Sequence, residues 1–505
     1  MKPTRTHLRT LVRKGGAAAA LVCVVAGARN VQGQPTFQLV GHPGSGVNGI
    51  SADGSTIVGG ETVAANTAHP FTWPAASPGL GVGLGLLAGS QSASAYAVNV
   101  DGTVIVGNGD VPFRWRAGLG LGAMPAGAQP YGLSQNGSVA VGRLSVTGAL
   151  WTGIDGANVG AAQLLPVIGF NSFNYAYGAN ADGSVVVGDS VDAGGECSGG
   201  VMWTGGAAGP ALLPCAGIGG AKSARAVSPD GTIIVGSCGV CDFVGGSAQA
   251  ARWVNGVPQA LGVFPGDLGA VAVALSADGS VIVGYNYTQT YVHRGTHGFV
   301  WTPSTGMLNF RPFLEDTGAI LPAGTLMFPS GVSADGRVIV GNGTFSGVSQ
   351  GWIVRLPPGS FDLLLLSPRN GAIVVPQPPT LSWSHAPSAT SYDVTVQIGA
   401  GSPAVMTTSQ TSITLPASPA FDCQAIVWGV VAHGPGGDTF SRPATRTFQT
   451  LRTGDFDRNG TVSENDIFAF LNAWFLSDPR ADFNGGGLAV SDIFDFIGAW
   501  FVPCP

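Results

Sequence analysis

"LSADGSVIVGY", residues 275–285, is the stretch on which the reading of this chain turns. Asp278-Gly279 sits between Ser276 and Ser280, and the run Val281 to Gly284 follows without a polar break. Asp-Gly supplies the positive φ angles of a tight two-residue hairpin turn. An unbroken apolar run of this kind reads as a strand buried on both faces. Six further copies stand in the chain: "ISADGSTIVGG" from 50, "VNVDGTVIVGN" from 98, "LSQNGSVAVGR" from 133, "ANADGSVVVGD" from 179, "VSPDGTIIVGS" from 227 and "VSADGRVIVGN" from 332. Asn136 replaces the Asp once. A Gly always follows six residues on (Gly59, Gly107, Gly142, Gly188, Gly236, Gly284, Gly341), and Ser or Asn always lies two residues before. Gly or Ala lies four residues before, which predicts close packing against a neighbouring sheet.

Each unit closes on a tryptophan: Trp73, Trp115, Trp151, Trp203, Trp253, Trp301 and Trp352. That predicts a third strand carrying a large residue into the layer between sheets. A fourth short run follows in several units, such as "LGVF" at 261. Seven units of three to four strands predict a seven-bladed β-propeller over residues 34–357. "FQLVGHPGS" near the start resembles a unit's last strand, so it is expected to complete the final blade. A linear β-solenoid is the alternative, since such units can also stack without closing. The repeated S-x-D-G-S-V-I-V-G unit resembles the HAF family of extracellular repeats over residues 37 to about 356. That family implies export but no particular activity. Each repeat turn holds at most a single carboxylate beside a Ser or Asn, where calcium wants several oxygens. The Asp is therefore read as a turn residue.

The chain has 505 residues, with 80 Gly, 34 Pro, only 10% charged residues and a net charge of −6. That balance offers nothing to nucleic acid. Basic "MKPTRTHLRTLVRKGG", apolar "AAAALVCVVAG" and the small residues of "VQG" predict an export signal over residues 1–33. The apolar part is too short to span a bilayer, which takes ~20 residues. Export permits disulfides. By proximity Cys197 with Cys215, and Cys238 with Cys241, are the expected pairs, leaving Cys423 and Cys504. His293 and His297, in "HRGTH", lack the Glu of a zinc-protease helix and read as solvated loop residues.

From about 360 the period changes. "PTLSW", the alternating "SYDVTVQI", "TSITLP", "AIVWGVVAHG" and "ATRTFQT" predict a β-sandwich over residues 360–450. Its P-x-L-S-W opening, Tyr392 strand and "VWGVVA" strand resemble a fibronectin type III module, which implies a spacer or a weak carbohydrate- or protein-binding unit.

The tail, residues 453–505, opens with "GDFDRNGTVSENDIFAFLNAWF". Asp455, Asp457 and Asn459 take positions 1, 3 and 5 of an EF-hand-type loop, and Gly460 takes the sharp turn at 6. The Thr461 carbonyl, the Ser463 side chain or a water, and Asp466 take positions 7, 9 and 12. Oxygen donors without imidazole or thiolate predict Ca²⁺. Ile467, Phe470, Leu471, Trp474 and Phe475 form an apolar stripe on the following helix. The tail repeats at an offset of 26, as in Asp466 with Asp492 and Trp474 with Trp500, so two loop-helix halves should pack face to face. The second loop, "DFNGGGLAVSD", is one residue shorter and has Gly486 at position 5. Asp482, Asn484 and Asp492 could still reach an ion, at a weaker or empty site. This pattern resembles a dockerin domain of the kind common at the C-termini of secreted planctomycete proteins. The resemblance implies calcium-dependent docking to a cohesin-like protein or cell-surface scaffold. Glu464 and Asn465 occupy the positions through which cellulosomal dockerins read their partner, so a cellulosomal cohesin is not implied.

Two functional classes follow. One is a non-catalytic surface or binding module, displaying the propeller and sandwich to glycan or protein. The other is a polysaccharide hydrolase or lyase, the usual cargo of dockerins. No Gly-x-Ser-x-Gly elbow occurs. Paired carboxylates for glycoside cleavage need only proximity in space and leave no linear signature. The non-catalytic class is the favoured expectation.

Overall fold

The computed structural model describes residues 33–501, except 65–66, 169–172, 192–197, 206–208, 216–219, 240–247, 289–294, 323–325, 375–378, 416–423, 451–453, 458–461 and 484–486. The expected leader (all but Gly33), His293, Cys197, Cys241, Cys423 and Cys504 lie outside the described residues. The chain is mainly β, with the α-helices α1 (Phe310–Asp316), α2 (Glu464–Phe475) and α3 (Val490–Trp500) among the described residues. None is long and apolar enough to cross a membrane.

The repeated S-x-D-G-S stretch builds its turn mainly from its own side chains. In the sixth copy Ser276 Oγ donates to Asp278 Oδ1 at 2.7 Å, and that oxygen accepts Ser280 N at 2.9 Å. Ser276 Oγ in turn accepts Val281 N at 3.0 Å, locking the first residue of the next strand. Asn does the same job in the second and fourth copies, where Asn99 and Asn180 accept Val104 N and Val185 N. The turn is not the two-residue form expected. Its closing bond runs from Gly279 N to Ser276 O, and only the glycine, not the aspartate, has a positive φ. The aspartate's side-chain bonds to the residue two ahead favour this longer loop.

Each copy joins the first and second strands of a four-stranded antiparallel set, and the sets of units 5 and 6 are linked into one eight-stranded sheet by a parallel pairing of Ala248 with Gly269. In unit 6 these are Gly269–Leu275, Ile282–Tyr287, Gly295–Thr302 and Gly306–Asn309. In unit 5 the fourth strand is Val257–Gly262, earlier than the "LGVF" run expected. Unit 7 supplies only three strands, Leu326–Val332, Val338–Phe345 and Val348–Arg355. Its fourth is the N-terminal strand Thr36–Val40, with Leu39 opposite Trp352. The first strands of the seven units touch one another in order, and the first strand of unit 7 touches that of unit 1. Turn-to-turn bonds run the same way: Val100 N to Gln135 O, Asn136 N to Ala181 O, Ala277 N to Ala334 O, and Ala334 N back to Ala52 O. Unit 5 has Pro229 at this place, which has no N–H to give.

The repeated glycine has a specific job. In all seven units the first strand carries a β-bulge opposite it, as between Ala176 and Gly178 opposite Gly188. A Cβ on Gly188 would fall on the carbonyl oxygen of Tyr175, and one on Gly236 on that of Ser223. Between successive units lie apolar layers. Trp151 packs with Val104 and Val106 of the unit before it, and Trp352 with Val283 and Val300. Trp73, Trp151, Trp203, Trp253 and Trp352 are fully buried. Trp115 is only partly buried, and Phe113 takes the inner place in that layer.

The expected cysteine pairs are corrected. Cys215 bonds Cys238, with Cα atoms 6.0 Å apart. Cys238 lies on the second strand of unit 5, against the connection that leaves unit 4, so the bridge follows packing rather than nearness in sequence.

Residues 360–450 form two sheets, Leu365–Ser367 with Thr380–Trp383 and Ser412–Thr414, and a six-stranded one centred on Ala425–Gly434. Trp383, Tyr392, Trp428 and Phe448 fill the core between them. Helix α1, which the sequence reading missed, joins this sandwich to the repeats. Phe313 stacks on Phe361 at 5.2 Å, and Arg446 Nη2 reaches Asp316 Oδ2 at 2.5 Å.

Candidate functional site

The tail folds as two halves related by the 26-residue offset. Phe470 of α2 and Phe496 of α3 stack at 4.2 Å, with Phe456 and Phe483 edge-on to both. Each helix also holds the other half's loop. Trp474 Nε1 donates to Ala489 O at 3.2 Å, and Trp500 Nε1 donates to Ser463 O at 3.0 Å. The loops thus depend on the helix pair for their position.

Three of the expected ligands converge. Ligand oxygens of Asp455, Asp457 and Asp466 lie within 4.8 Å of one another. Asp455 and Asp466 are buried and Asp457 is exposed. Asp466 accepts Asp457 N at 2.9 Å and Ser463 N at 2.8 Å, which folds the loop back over its own closing residue. Ser463 caps α2 by accepting Asn465 N at 3.3 Å. Asn459 and Thr461 lie outside the described residues. Two buried carboxylates beside a third repel one another strongly unless protons or a cation intervene. An all-oxygen set of this kind fits a hard divalent ion.

The second half repeats the bonds to its closing aspartate. Asp492 accepts Phe483 N at 2.8 Å and Ala489 N at 2.7 Å, matching Asp466. Asp482 Oδ2 accepts Gly487 N at 3.0 Å, while its Oδ1 is buried with no hydrogen-bond partner. An orphaned carboxylate oxygen fits a ligand role too. Asn484 lies outside the described residues, and no three-acid group forms here among the described ones.

The apolar stripe needs one correction. Phe470 is buried and Ile467, Leu471 and Trp474 pack beside it, but Phe475 does not join them. Phe468 and Phe475 on α2, and Phe494 and Phe501 at the matching places of the second half, are 67, 74, 71 and 70% exposed. They are spaced seven apart, hence on one side of each helix.

The first strands of the seven units hold a feature that the repeat pattern alone does not show. The extra residue at each first-strand bulge stands five before the turn Asp or Asn: Asn48, Tyr96, Tyr131, Tyr177, Arg225, Val273 and Ser330. It is the varied neighbour of the constant Gly or Ala. Where that small residue is Gly132, a Cβ would press on Tyr177 O in the next unit, so the inner strands abut there. His297, expected as solvated, is half-exposed and meets Asp267 Oδ2 at 3.1 Å.

No family model matches the chain, and no curated protein matches it in sequence. Among solved structures it is similar to a TolB protein from Agrobacterium tumefaciens, with 14% identity and a TM-score of 0.32, over 44% of this chain and 81% of that one. It is also similar to YCF48 bound to D1 peptide, with 12% identity and a TM-score of 0.38, over 64% of this chain and 97% of that one. At these scores neither likeness bears on what this chain does.

Proposed function

We propose that the chain is an exported, non-catalytic display protein of the cell surface or extracellular space. A seven-bladed β-propeller and a fibronectin type III-like sandwich present binding faces for glycan, and a dockerin-like tail tethers them to a cohesin-like protein or surface scaffold. The propeller reading rests on inner strands that touch in a closed order of seven. A linear solenoid would leave its first and last units apart. Export rests on the leader pattern and on the bridge between Cys215 and Cys238, a bond at home in oxidising compartments.

The observation that carries the tether is the pairing of an acidic loop with exposed phenylalanines in a twofold-like tail. Ca²⁺ held by Asp455, Asp457, Asn459, Ser463, Asp466 and the Thr461 carbonyl would neutralise the crowded carboxylates. Asp482, Asn484 and Asp492 would serve a second, weaker position. Binding at a hundred times Kd stabilises the tail by about 2.7 kcal/mol. The helix pair then presents Phe468 with Phe475, and Phe494 with Phe501, to the partner. The full chain should bind at least one of a panel of recombinant cohesin modules in millimolar calcium and release it in chelator. Phe468→Ser with Phe494→Ser should abolish capture while leaving the fold intact. Capture that ignores chelator and both substitutions, or none by any cohesin, contradicts the tether. Release of reducing sugar or unsaturated product from polysaccharide would contradict the non-catalytic reading.

A further inference from the structure

The bulge residues make an asymmetric inner wall. Units 2 to 5 place Tyr96, Tyr131, Tyr177 and Arg225 side by side. Ring centroids are 6.3 Å apart from Tyr96 to Tyr131 and 6.0 Å from Tyr131 to Tyr177, and the Arg225 guanidinium lies 4.3 Å above Tyr177. Two residues earlier on the unit 4 strand, Tyr175 stacks parallel to Tyr177 at 6.0 Å. Arg143, the residue after the repeat glycine of unit 3, lies 5.1 Å over Tyr175 and donates to its hydroxyl at 3.2 Å. Units 6 and 7 offer Val273 and Ser330 instead, so the row belongs to one side of the wall.

The charges on this row are not balanced. Arg225 has one carboxylate neighbour, Asp189, at a loose 3.9 Å, and its Nε is a buried donor with no partner. Burial pushes the Asp189 carboxyl up to about 6, against the pull of Arg225. Arg143 has no carboxylate partner among the described residues; its Nε goes to Gln129 Oε1 at 2.5 Å. At the exposed end, Tyr96 borders a cleft of about 330 Å³ that Ser94, Asn108 and Gln129 also line.

We propose that this row is a binding site for an acidic saccharide, its carboxylate groups meeting Arg143 and Arg225 and its sugar rings lying against the tyrosines. The inference rests on the glycan-display reading above and adds where the glycan sits and what charge it bears. Guanidinium recognises carboxylate through paired, charge-assisted hydrogen bonds. Phenol, amide and hydroxyl groups spread along an aromatic wall suit a polyhydroxylated ligand, which needs many weak partners. An acidic peptide would meet the same charges but makes less use of phenol, amide and hydroxyl groups spread along an aromatic wall.

The full chain should be titrated calorimetrically with tetragalacturonate, with neutral galactotetraose and with hexaglutamate. Binding of tetragalacturonate alone is expected, weakening with salt. Arg143→Gln and the exposed Tyr96→Ala should each weaken it on the order of tenfold, with unchanged thermal unfolding. Equal binding of the neutral sugar, insensitive to Arg143→Gln, overturns the acidic class and leaves glycan display standing. Binding of hexaglutamate without either sugar overturns both. Tetragalacturonate binding that both variants leave intact places the site elsewhere and overturns this assignment.

Discussion

Aspartates beside glycines recur in two regions of this molecule and meet opposite fates. In the repeat turns each Asp stands alone and is satisfied by its own neighbours, as Asp182 is by Ser184 N at 3.0 Å and Ser184 Oγ at 2.6 Å. In the tail three carboxylates converge and two of them are buried. The difference lies in spacing. One carboxylate per turn is closed by the backbone N–H two residues on, joined in five turns by that residue's Ser or Thr hydroxyl. In the seventh, Arg337 gives Asp335 only its backbone N–H. Acids at positions 1, 3 and 12 of one loop instead share a single centre. The first arrangement is closed by hydrogen bonds alone, and the second is the one proposed above to hold an ion.

Gly188→Ala should give the largest effect, since its Cβ would fall on Tyr175 O at the bulge. Backbone cannot yield as a side-chain tip can, and a loss on the order of 3 kcal/mol is expected. Urea unfolding should show it in the repeat transition, with calcium making no difference. A calcium-restored transition would mean that the repeats themselves bind the ion.

Asp182→Ala should lower the unfolding temperature by a smaller figure than Gly188→Ala, through the turn's lost hydrogen bonds. A chelator should not alter that figure. The smallest effect is on pH. The Asp101, Asp182 and Asp230 carboxyls are held below the usual 3.8, chiefly by hydroxyls of Thr103, Ser184 and Ser228. Their contribution is complete above that value and is lost as pH falls through the lowered one. Asp189 runs the other way, because burial raises it to about 6. The folded state holds its proton longer, so stability declines as pH rises from about 4 to 6. Thermal unfolding between pH 3 and 7 should therefore show both slopes, and Asp189→Asn should flatten only the upper one.

Much of the repeat region was readable because turn chemistry and strand period repeat together. "S-x-D-G-S" followed by "V-I-V-G" states a turn, a buried strand and a bulge partner in one phrase. The inner wall was harder to read, since its residues vary from Tyr177 to Arg225 to Val273 while the frame stays constant. Their shared place emerges only once the bulge is known. The bridge from Cys215 to Cys238 was hidden for a related reason, since unit-to-unit packing brings together residues that sequence nearness does not pair. Helix α1 buries Phe310, Phe313 and Leu314 in seven residues, too few for a helical period to stand out. In the tail, spacing gave Asp455, Asp457 and Asp466 directly, but the exposure of Phe475 depends on how α2 turns against α3.

Calcium stoichiometry on the full chain is the most direct test, measured calorimetrically after chelation. One tight site, at most one weaker second site, and no tight binding in the Asp455→Ala, Asp457→Ala variant are expected. Seven or more ions per chain, or tight binding that survives both substitutions, would contradict a calcium site confined to the tail.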